Sequence, residues 1–561
     1  MSLIFTDFEV FKYDWLAVFI NPIEKSETVI VNDRDKLKTY YERYKNEIFV
    51  GFNIRHYDQF IFKGILLGFN PKDVNDWIIV KDRMGWQFSD LFRNVNLNIF
   101  DCMTSFHGLK TLEGFMGNDV RESGVNFEVD RKLTEDEIEE TIKYCRHDVQ
   151  QTMQVFLKRK SEFDAHMGML KAFNLPLSYI SKTKIQLSAA ALGAVKQHRN
   201  DEFDLEYPHT LKLNRYKHIK QWYDDPNNRD YEKSLNIDVA GVPHIFAWGG
   251  LHGARPNYIE SGRFLNVDVA SYYPSLMIKY GWGSRNISDP KKYEEIYHQR
   301  LKYKAENNPL QAPLKILLNG TYGAMKDQFN PLYDPRQANN VCIGGQLLLL
   351  DLIEKLEDYC DIVQSNTDGI LVKLHDNREK VEEICHEWER RTGMVLEFDE
   401  YVKVIQRDVN NYIIVAANGS YKSKGAVVKK QNSLDYDMSI INEAVTNYFV
   451  KGIPVEQTIN ECNDLIKFQK IVKVSRKYNH ALHGNQRVNE KTLRVFASKD
   501  LNDGGVFKVK IGKNPEKFAL TSEKSFIVND DVKGKPVPDK LDRDFYIALA
   551  KKSVDSFVGI K

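Results

Sequence analysis

Residues 3–10, LIFTDFEV, alternate with the period of a strand. Leu3, Phe5, Asp7 and Glu9 share one face; Ile4, Thr6, Phe8 and Val10 share the other. Two carboxylates at i and i+2 beside apolar neighbours repel each other and lose hydration unless a cation lies between them. The plainer alternative is a strand edge with two solvated acids. A second strand is expected over 48–52, followed closely by Asn53, Tyr57 and Asp58. The period then changes. In LTEDEIEETIKYCRHDVQQTMQVFLKR, Thr134 and Glu137 form a capping box, and Leu133 and Ile138 are placed as a hydrophobic staple. Ile138, Ile142, Cys145, Val149, Met153 and Phe156 mark the expected buried stripe, with Tyr144 and Asp148 projecting together beside it.

The middle of the chain repeats these signals. RFLNVDV reads as a strand ending at Asp268, after which Ser271-Tyr272-Tyr273-Pro274 turns into a helix. IYHQRLKYKAE places Arg300 and Lys304 at i and i+4 on a helix, which is either a solvated basic face or a phosphate grip. In PLKILLNGTYGAM, Lys315, Asn319 and Tyr322 fall on one helical face, opposite Leu314, Leu317, Leu318 and Thr321. Gly320 and Gly323 each cost that helix about 1 kcal/mol relative to Ala, so something should approach its backbone closely. DIVQSNTDGILVKL reads as a hairpin turning at Asp368 and Gly369. Taken alone, Asp368 is either a turn residue or a metal-binding carboxylate.

At 561 residues the chain exceeds one core, and three or four lobes are expected. No apolar run reaches the roughly 18–20 residues of a bilayer span. The N-terminus lacks the basic-then-apolar order of a secretory signal, so a cytoplasmic protein without membrane partners is expected. The six cysteines are scattered, which predicts reduced thiols and no structural zinc. Net charge is only +1, but residues 401–561 hold 28 Lys+Arg against 18 Asp+Glu, leaving the first 400 residues at −9. That asymmetry suits a lobe that grips phosphates joined to one that holds metal-binding acids, or simply a solvated basic surface.

Six motifs, in order, resemble those of family B DNA polymerases. The Asp-x-Glu strand (Asp7, Glu9), the Asn-x-x-x-Tyr-Asp segment (Asn53, Tyr57, Asp58) and the Tyr-x-x-x-Asp helix (Tyr144, Asp148) resemble the family's 3′–5′ proofreading exonuclease. FHGLKTLEGF, with Leu109, Lys110 and Glu113, is weakly similar to a primer-end contact loop. RFLNVDVASYYPS resembles motif A, PLKILLNGTYG motif B, and SNTDG motif C. Asn366 and Gly369 depart from the usual Asp-Thr-Asp-Ser, Gly320 replaces a Ser, and Tyr272-Tyr273 replaces Leu-Tyr. FAWGG (Gly249, Gly250) and NNYIIVAANGSYKSKG (Tyr412, Lys424, Gly425) resemble elements that hold DNA, although the usual Tyr of the first and Lys of the second are not matched.

The resemblance implies an α+β multidomain fold: an RNase H-like α/β exonuclease followed by a right-hand polymerase with an antiparallel palm, short helical fingers and a thumb. The expected boundaries are 1–165 exonuclease, 166–240 connector, 241–282 palm with motif A, 283–325 fingers, 326–430 palm with motif C, and 431–561 thumb. It implies a template-directed polymerase that adds dNTPs to the 3′ end of primer-template DNA and proofreads. Asp268 and Asp368 would hold two Mg²⁺ at one site, and Asp7, Glu9, Asp58 and Asp148 two at the other, with Mn²⁺ able to substitute. Oxygen donors are the ligands Mg²⁺ prefers. Tyr144 would orient the attacking water. Ser271, Tyr272, Tyr273, Arg300, Lys304, Lys315 and Asn319 would bind the dNTP, with Tyr273 rejecting ribonucleotides. Asn53, Tyr57, Tyr322, Gly323, Gly249, Gly250, Tyr412, Lys424 and Gly425 would touch DNA. Short gaps between motifs imply a compact, monomeric phage-type enzyme in the host cytoplasm, lacking the insertions of protein-primed polymerases. Such an enzyme would depend on a helicase, single-strand-binding protein or processivity factor. The competing reading is a polymerase-like DNA-binding subunit with a decayed polymerase site that retains exonuclease activity.

Overall fold

A computed structural model describes residues 2–103 and 107–560. Phe106, which opens the FHGLKTLEGF stretch, lies outside them. The chain forms two compact units. The first comprises 1–182, 431–440 and 461–546; the second comprises 183–430, 441–460 and 547–561. Residues 431–561, read above as one thumb, are therefore shared between both units, and the expected connector is cut near 182.

In the first unit, β1 (Leu3–Val10), β2 (Trp15–Asn21), β3 (Ser26–Val31), β4 (Ile48–Gly51) and β5 (Asn98–Asp101) form a sheet in the order β3-β2-β1-β4-β5. β1 runs antiparallel to β2 and parallel to β4, and β4 runs parallel to β5. The alternation along β1 does not separate core from solvent, because helices cover both faces. Phe8 packs against Phe62 of helix Asp58–Leu67. Phe5, on the face of Asp7 and Glu9, meets Phe156 of helix Glu135–Lys158 edge to face, 5.3 Å between ring centroids. Thr134 caps that helix in a full capping box, as its sequence predicts. Its buried residues, however, are Thr141, Cys145, Asp148, Val149, Gln151, Thr152, Val155 and Phe156, while Ile138, Ile142 and Met153 are only half-buried. The helix is rotated from the apolar expectation so that Asp148 sits within the buried face.

The second unit is built on a nine-stranded antiparallel sheet. Its strands are β6 (Ser234–Val239), β7 (Val242–Ala247), β8 (His252–Ala254), β9 (Tyr258–Val269), β10 (Cys360–Ser365), β11 (Gly369–Leu374), β12 (Leu396–Asp408), β13 (Asn411–Val415) and β14 (Tyr421–Lys424). Their order is β14-β13-β12-β9-β11-β10-β8-β7-β6. Helix Pro335–Leu356 is buried on nearly every side, its polar Gln337, Asn339, Asn340, Gln346 and Asp351 included. Helices Pro290–Ala305 and Gln311–Lys326 form an antiparallel pair joined by a short loop. Gly320 abuts the helix Lys184–Leu192, where a Cβ would lie 3.1 Å from Ser188 Oγ, whereas Gly323 has nothing within 4 Å. The close approach expected at Gly320 is thus a neighbouring helix of the same unit. Among the described residues no helix is long and apolar enough to cross a membrane, and none of the six cysteines is in a disulfide.

Two candidate carboxylate centres

The first unit gathers Asp7 and Glu9 from β1, Asp58 from the first turn of helix Asp58–Leu67, and Asp148 from helix Glu135–Lys158. Glu9, Asp58 and Asp148 are buried and Asp7 is half-buried. Asp7, Glu9 and Cys145 offer ligand atoms within 4.8 Å of one another; so do Glu113, His147 and Asp148. Such crowding opposes ionisation. Burial, then the charge of Asp148, pushes Asp7 up to about 7 despite Lys110. Burial pushes Asp148 up to about 6, with Lys110 opposing. Glu9 and Asp58 are raised for the same two reasons, burial first and neighbouring carboxylates second. Asp58 Oδ1 has no hydrogen-bond partner. A buried oxygen in that state is costly, and a cation is one group that would satisfy it.

Lys110 supplies one positive charge. Its ammonium donates to Asp148 and, at 3.1 Å, to Glu113 Oε1, and lies 4.6 Å from the centroid of the Tyr144 ring. Tyr144 is held in its protonated, donating form by burial and by Asp148, Glu9 and Asp7. Asn53 and Tyr57 are engaged within the fold. The Asn53 amide donates to Asp101 Oδ1 at 2.9 Å from a left-handed backbone (φ 64°), and the Tyr57 hydroxyl donates to Asn75 Oδ1 at 2.8 Å. Asp101 was not singled out in the sequence. Its buried carboxylate accepts from Asn53, Arg55 and Met103, fixing the loop that leads into Asp58.

In the second unit Asp268 ends β9 and Asp368 sits in the turn from β10 to β11. The strands are antiparallel neighbours, with Gly369 opposite Asp268. The Val269 amide donates to the Asp368 carbonyl at 2.7 Å, and the Asn366 amide closes the turn onto the Gly369 carbonyl at 2.8 Å. Burial, then the charge of Asp368, pushes Asp268 up to about 6, and Asn266 opposes by donating to its Oδ2 at 2.7 Å. Both acids line a cavity of about 700 Å³, together with Ser271, Tyr273, Arg300, Lys304, Lys315 and Asn319. Ser271 adopts a left-handed backbone (φ 50°) at the start of helix Tyr272–Lys279 and accepts from Arg300 Nη1 at 2.8 Å. Arg300 is buried and its Nε lacks a partner. Lys304 pairs with Glu397 at 3.5 Å. Tyr272 adds to the cavity wall, but its ring is buried and its hydroxyl donates to the Gly345 carbonyl at 2.7 Å. The Tyr273 ring rests on Tyr322, 4.4 Å between centroids.

The remaining candidates have structural employment of their own. The Gly249 carbonyl accepts from Gln346 at 2.9 Å and from the Cys342 thiol, and a Cβ on Gly250 would meet Thr367 Oγ1 at 2.6 Å. That segment is packed beneath the Asp368 turn. Tyr412 packs on the sheet core around Phe264 and Tyr401. Lys424 pairs with Tyr412 across β13 and β14 and is exposed. Gly425 needs its positive φ of 116°, and a Cβ there would lie 2.5 Å from Asn411 Oδ1. Glu397, Asp399 and Lys422 near Asp268 went unread in the sequence. Glu397 is the register partner of Asp268 on β12, and Asp399 accepts from Lys422 at 2.7 Å. Asn266 was legible in principle, since it shares the strand face of Asp268 two residues away.

The class these features define is a two-unit α+β protein with a crowded acidic centre in each unit, one of them beside a basic cavity. No family model matches the chain. Over 201 residues it is 27% identical to DNA polymerase 1 of Sulfurisphaera ohwakuensis, covering 34% of this chain and 22% of that protein. Over 224 residues it is 27% identical to DNA polymerase 1 of Saccharolobus solfataricus, 39% of this chain and 24% of that protein. A 297-residue match to DNA polymerase 1 of Aeropyrum pernix has 22% identity over 46% and 29% of the two chains. The chain is thus homologous over part of its length to archaeal DNA polymerases, and spans less than a third of each of these curated relatives. The solved family B DNA polymerase of Pyrobaculum calidifontis aligns with all of this chain and 78% of its own, at 14% identity and a TM-score of 0.45, too slight a likeness to build on.

Proposed function

We propose that the protein is a family B DNA polymerase of phage type that extends a primer 3′-OH with dNTPs and proofreads with a separate 3′–5′ exonuclease. The observation that carries this reading is the juxtaposition of Asp268 and Asp368 over a cavity lined by Arg300, Lys304 and Lys315. The partial homology to archaeal DNA polymerases supports it.

The donor sets fit divalent ions. At the first centre buried carboxylates oppose one another's ionisation and Asp58 Oδ1 is left without a partner; at the second, burial and the charge of Asp368 oppose ionisation of Asp268. When bound, Mg²⁺ or Mn²⁺ would activate the attacking oxygen and stabilise the leaving one. Asp268 and Asp368 would hold the ions of the polymerase site. Arg300 would clamp phosphate oxygens with its planar fork, and Lys304 and Lys315 would add point charges. Helix Tyr272–Lys279 begins in the wall of the same cavity, where Ser271, Tyr272 and Tyr273 line it, and the free amides of a helix start would suit a triphosphate. Tyr273, braced by Tyr322, would crowd a ribose 2′-OH. At the other centre Asp7, Glu9, Asp58 and Asp148 would hold the ions, Tyr144 would position the water by donating its hydroxyl, and Lys110 would offset developing charge.

A primed-template assay tests this reading. Mg²⁺-dependent dNTP incorporation should disappear in Asp368→Ala and survive in Asp7→Ala, while 3′-end degradation behaves in the opposite way. No incorporation by the wild type with Mg²⁺ or Mn²⁺ would favour the alternative, a DNA-binding subunit with a decayed polymerase site, toward which Asn366 in place of an acid points. The short intervals between motifs further suggest that the enzyme needs a helicase or processivity factor. Unaided strand displacement over kilobases would refute that.

A further inference from the structure

The second unit contains a smaller cavity, of about 290 Å³, that none of the motifs above reaches. Lys196, His198 and Arg199 line it from the segment after helix Lys184–Leu192, and Phe329 and Tyr333 from the turn after helix Gln311–Lys326. Phe329 is 85% exposed, the most exposed large hydrophobic side chain among the described residues. The backbone that carries it is nevertheless fixed. The Phe329 amide donates to Asp327 Oδ1 at 3.0 Å, the Leu332 amide to Asn330 Oδ1 at 2.9 Å, and Asn330 Nδ2 to the Ile185 carbonyl at 3.3 Å. A rigid turn that holds an aromatic ring in water is a preformed stacking platform rather than a frayed loop.

Basic groups predominate in the cavity wall, and the nearby Asp327 carboxylate is turned back onto the Phe329 amide. Asp334 is the only acid lining the cavity, and its buried carboxylate is consumed by Arg285, whose Nη2 donates to it at 2.7 Å and Nε at 3.0 Å. Arg199 is anchored from behind by Asn286 at 2.6 Å, and the Lys196 ammonium lies 5.3 Å from the Tyr333 ring centroid. Cations interleaved with a bare aromatic ring form the combination that tracks a single strand, phosphates on the basic groups and a base on the ring.

Helix Gln311–Lys326 runs from the larger cavity to the turn that lines this one. Lys315 and Asn319 line the 700 Å³ cavity, and along the same helix face Gly323 and Lys326 are exposed, Gly323 with nothing within 4 Å of where a Cβ would be. From Asn319 to Lys326 the helix advances roughly 10 Å at 1.5 Å per residue, the span of two or three nucleotides. We propose that Phe329, with Lys196, His198 and Arg199, binds single-stranded DNA: the unpaired template a few nucleotides ahead of the incoming dNTP. This rests on the polymerase reading of the larger cavity.

The test is equilibrium binding of fluorescent primer-templates whose template overhang is one or eight nucleotides, measured by anisotropy at fixed salt with the full chain. Phe329→Ala should weaken binding of the eight-nucleotide overhang by about five- to tenfold and leave the one-nucleotide overhang unchanged, while Phe329→Trp restores the loss. Lys196→Ala should weaken the same substrate and reduce its salt dependence. Equal losses on both overhangs, or no loss on either, would overturn the proposal. Binding needs no catalysis, so a wild type that incorporates no dNTP yet shows the overhang effect defeats the polymerase reading alone.

Discussion

Gly369 faces Asp268 so closely across the ladder of β9 and β11 that a Cβ on Gly369 would lie 1.9 Å from Asp268 Oδ1 and 3.1 Å from the Val267 carbonyl. Only a residue without a side chain lets the carboxylate keep this orientation beside the Asp368 turn. In Gly369→Ala the strand can stay paired, because the group that yields is the end of the Asp268 side chain. The expected outcome is a thermal midpoint within a few degrees of wild type and, on the polymerase reading proposed above, a fall in kcat of about 10²-fold, the scale of an ångström-sized misplacement. The 3′-end degradation proposed for the first unit should not change.

The acids of both centres carry a pH signature whose sign is fixed by the direction of their shifts. Asp7 is raised to about 7, Asp148 and Asp268 to about 6, and Glu9 and Asp58 also upward. A carboxyl raised above its unfolded value favours the folded state while protonated, so its stabilisation is lost as pH climbs through the folded pKa. Chelator-treated protein should therefore lose thermal stability between pH 5 and pH 8, by on the order of a few kcal/mol. Mg²⁺ should return most of that at pH 8 and little at pH 5. Thermal denaturation with and without Mg²⁺ at the two pH values checks it, and a metal-free midpoint that rises with pH would contradict the crowding described above.

Much of this was legible in the chain. The capping box of helix Glu135–Lys158, the strand ending at Asp268 and the hairpin at Asp368 follow from local chemistry that tertiary context reinforces. What escaped reading was long-range. The buried stripe of helix Glu135–Lys158 includes Thr141, Asp148 and Thr152 because it faces the acids of β1, and no apolar periodicity announces a polar burial. Gly320 is explained by Ser188, a neighbour more than a hundred residues away. Tyr57 and Gly249 match motif positions, yet their polar groups are committed to Asn75, and to Gln346 and Cys342. Residues 431–561 have a basic composition but no local signal for division between two units.

Lys110 is the half-buried positive charge among the first centre's acids, with buried Asp148 and Glu113 on either side. Lys110→Met keeps the length of the side chain and removes the ammonium. Two buried carboxylates then face each other without their cation, a change that typically costs about 3–5 kcal/mol. The unfolding midpoint in chelator should fall accordingly. Mn²⁺ should stabilise this variant more than wild type, because Glu113, His147 and Asp148 keep ligand atoms within 4.8 Å of one another. An unchanged midpoint would show that Lys110 is not what balances these acids.

Gly320→Ala tests a steric cause of a different kind. Its Cβ would sit 3.1 Å from Ser188 Oγ, and Ser188 is buried with its hydroxyl donating to the Lys184 carbonyl at 3.0 Å. The two helices must part by a few tenths of an ångström, an overpacking that costs about 1–3 kcal/mol against a gain of up to about 1 kcal/mol in helix propensity. A net loss of stability is expected, and the double variant Gly320→Ala, Ser188→Ala, which removes the contacting Oγ, should recover most of it. Denaturant midpoints of the four proteins in this cycle give the coupling, and additivity would mean that the two positions do not touch.

Tyr273 and Tyr322 form a braced pair over the 700 Å³ cavity, their centroids 4.4 Å apart, with Tyr273 lining the cavity. If Tyr273 is the surface that crowds a ribose 2′-OH, its removal should relax sugar discrimination more than it slows dNTP use. Tyr273→Ala is expected to raise the ratio of kcat/KM for ribonucleotides over deoxynucleotides by about 10²-fold, since excluding one hydroxyl by shape alone commands roughly that factor. Tyr322→Ala leaves the Tyr273 ring in place but unbraced, so its effect should have the same sign and a smaller size. Single-nucleotide incorporation with matched dNTP and NTP distinguishes the cases. If Tyr273→Ala slows both substrates equally, the ring supports the fold of the cavity and sugar selection lies with another group.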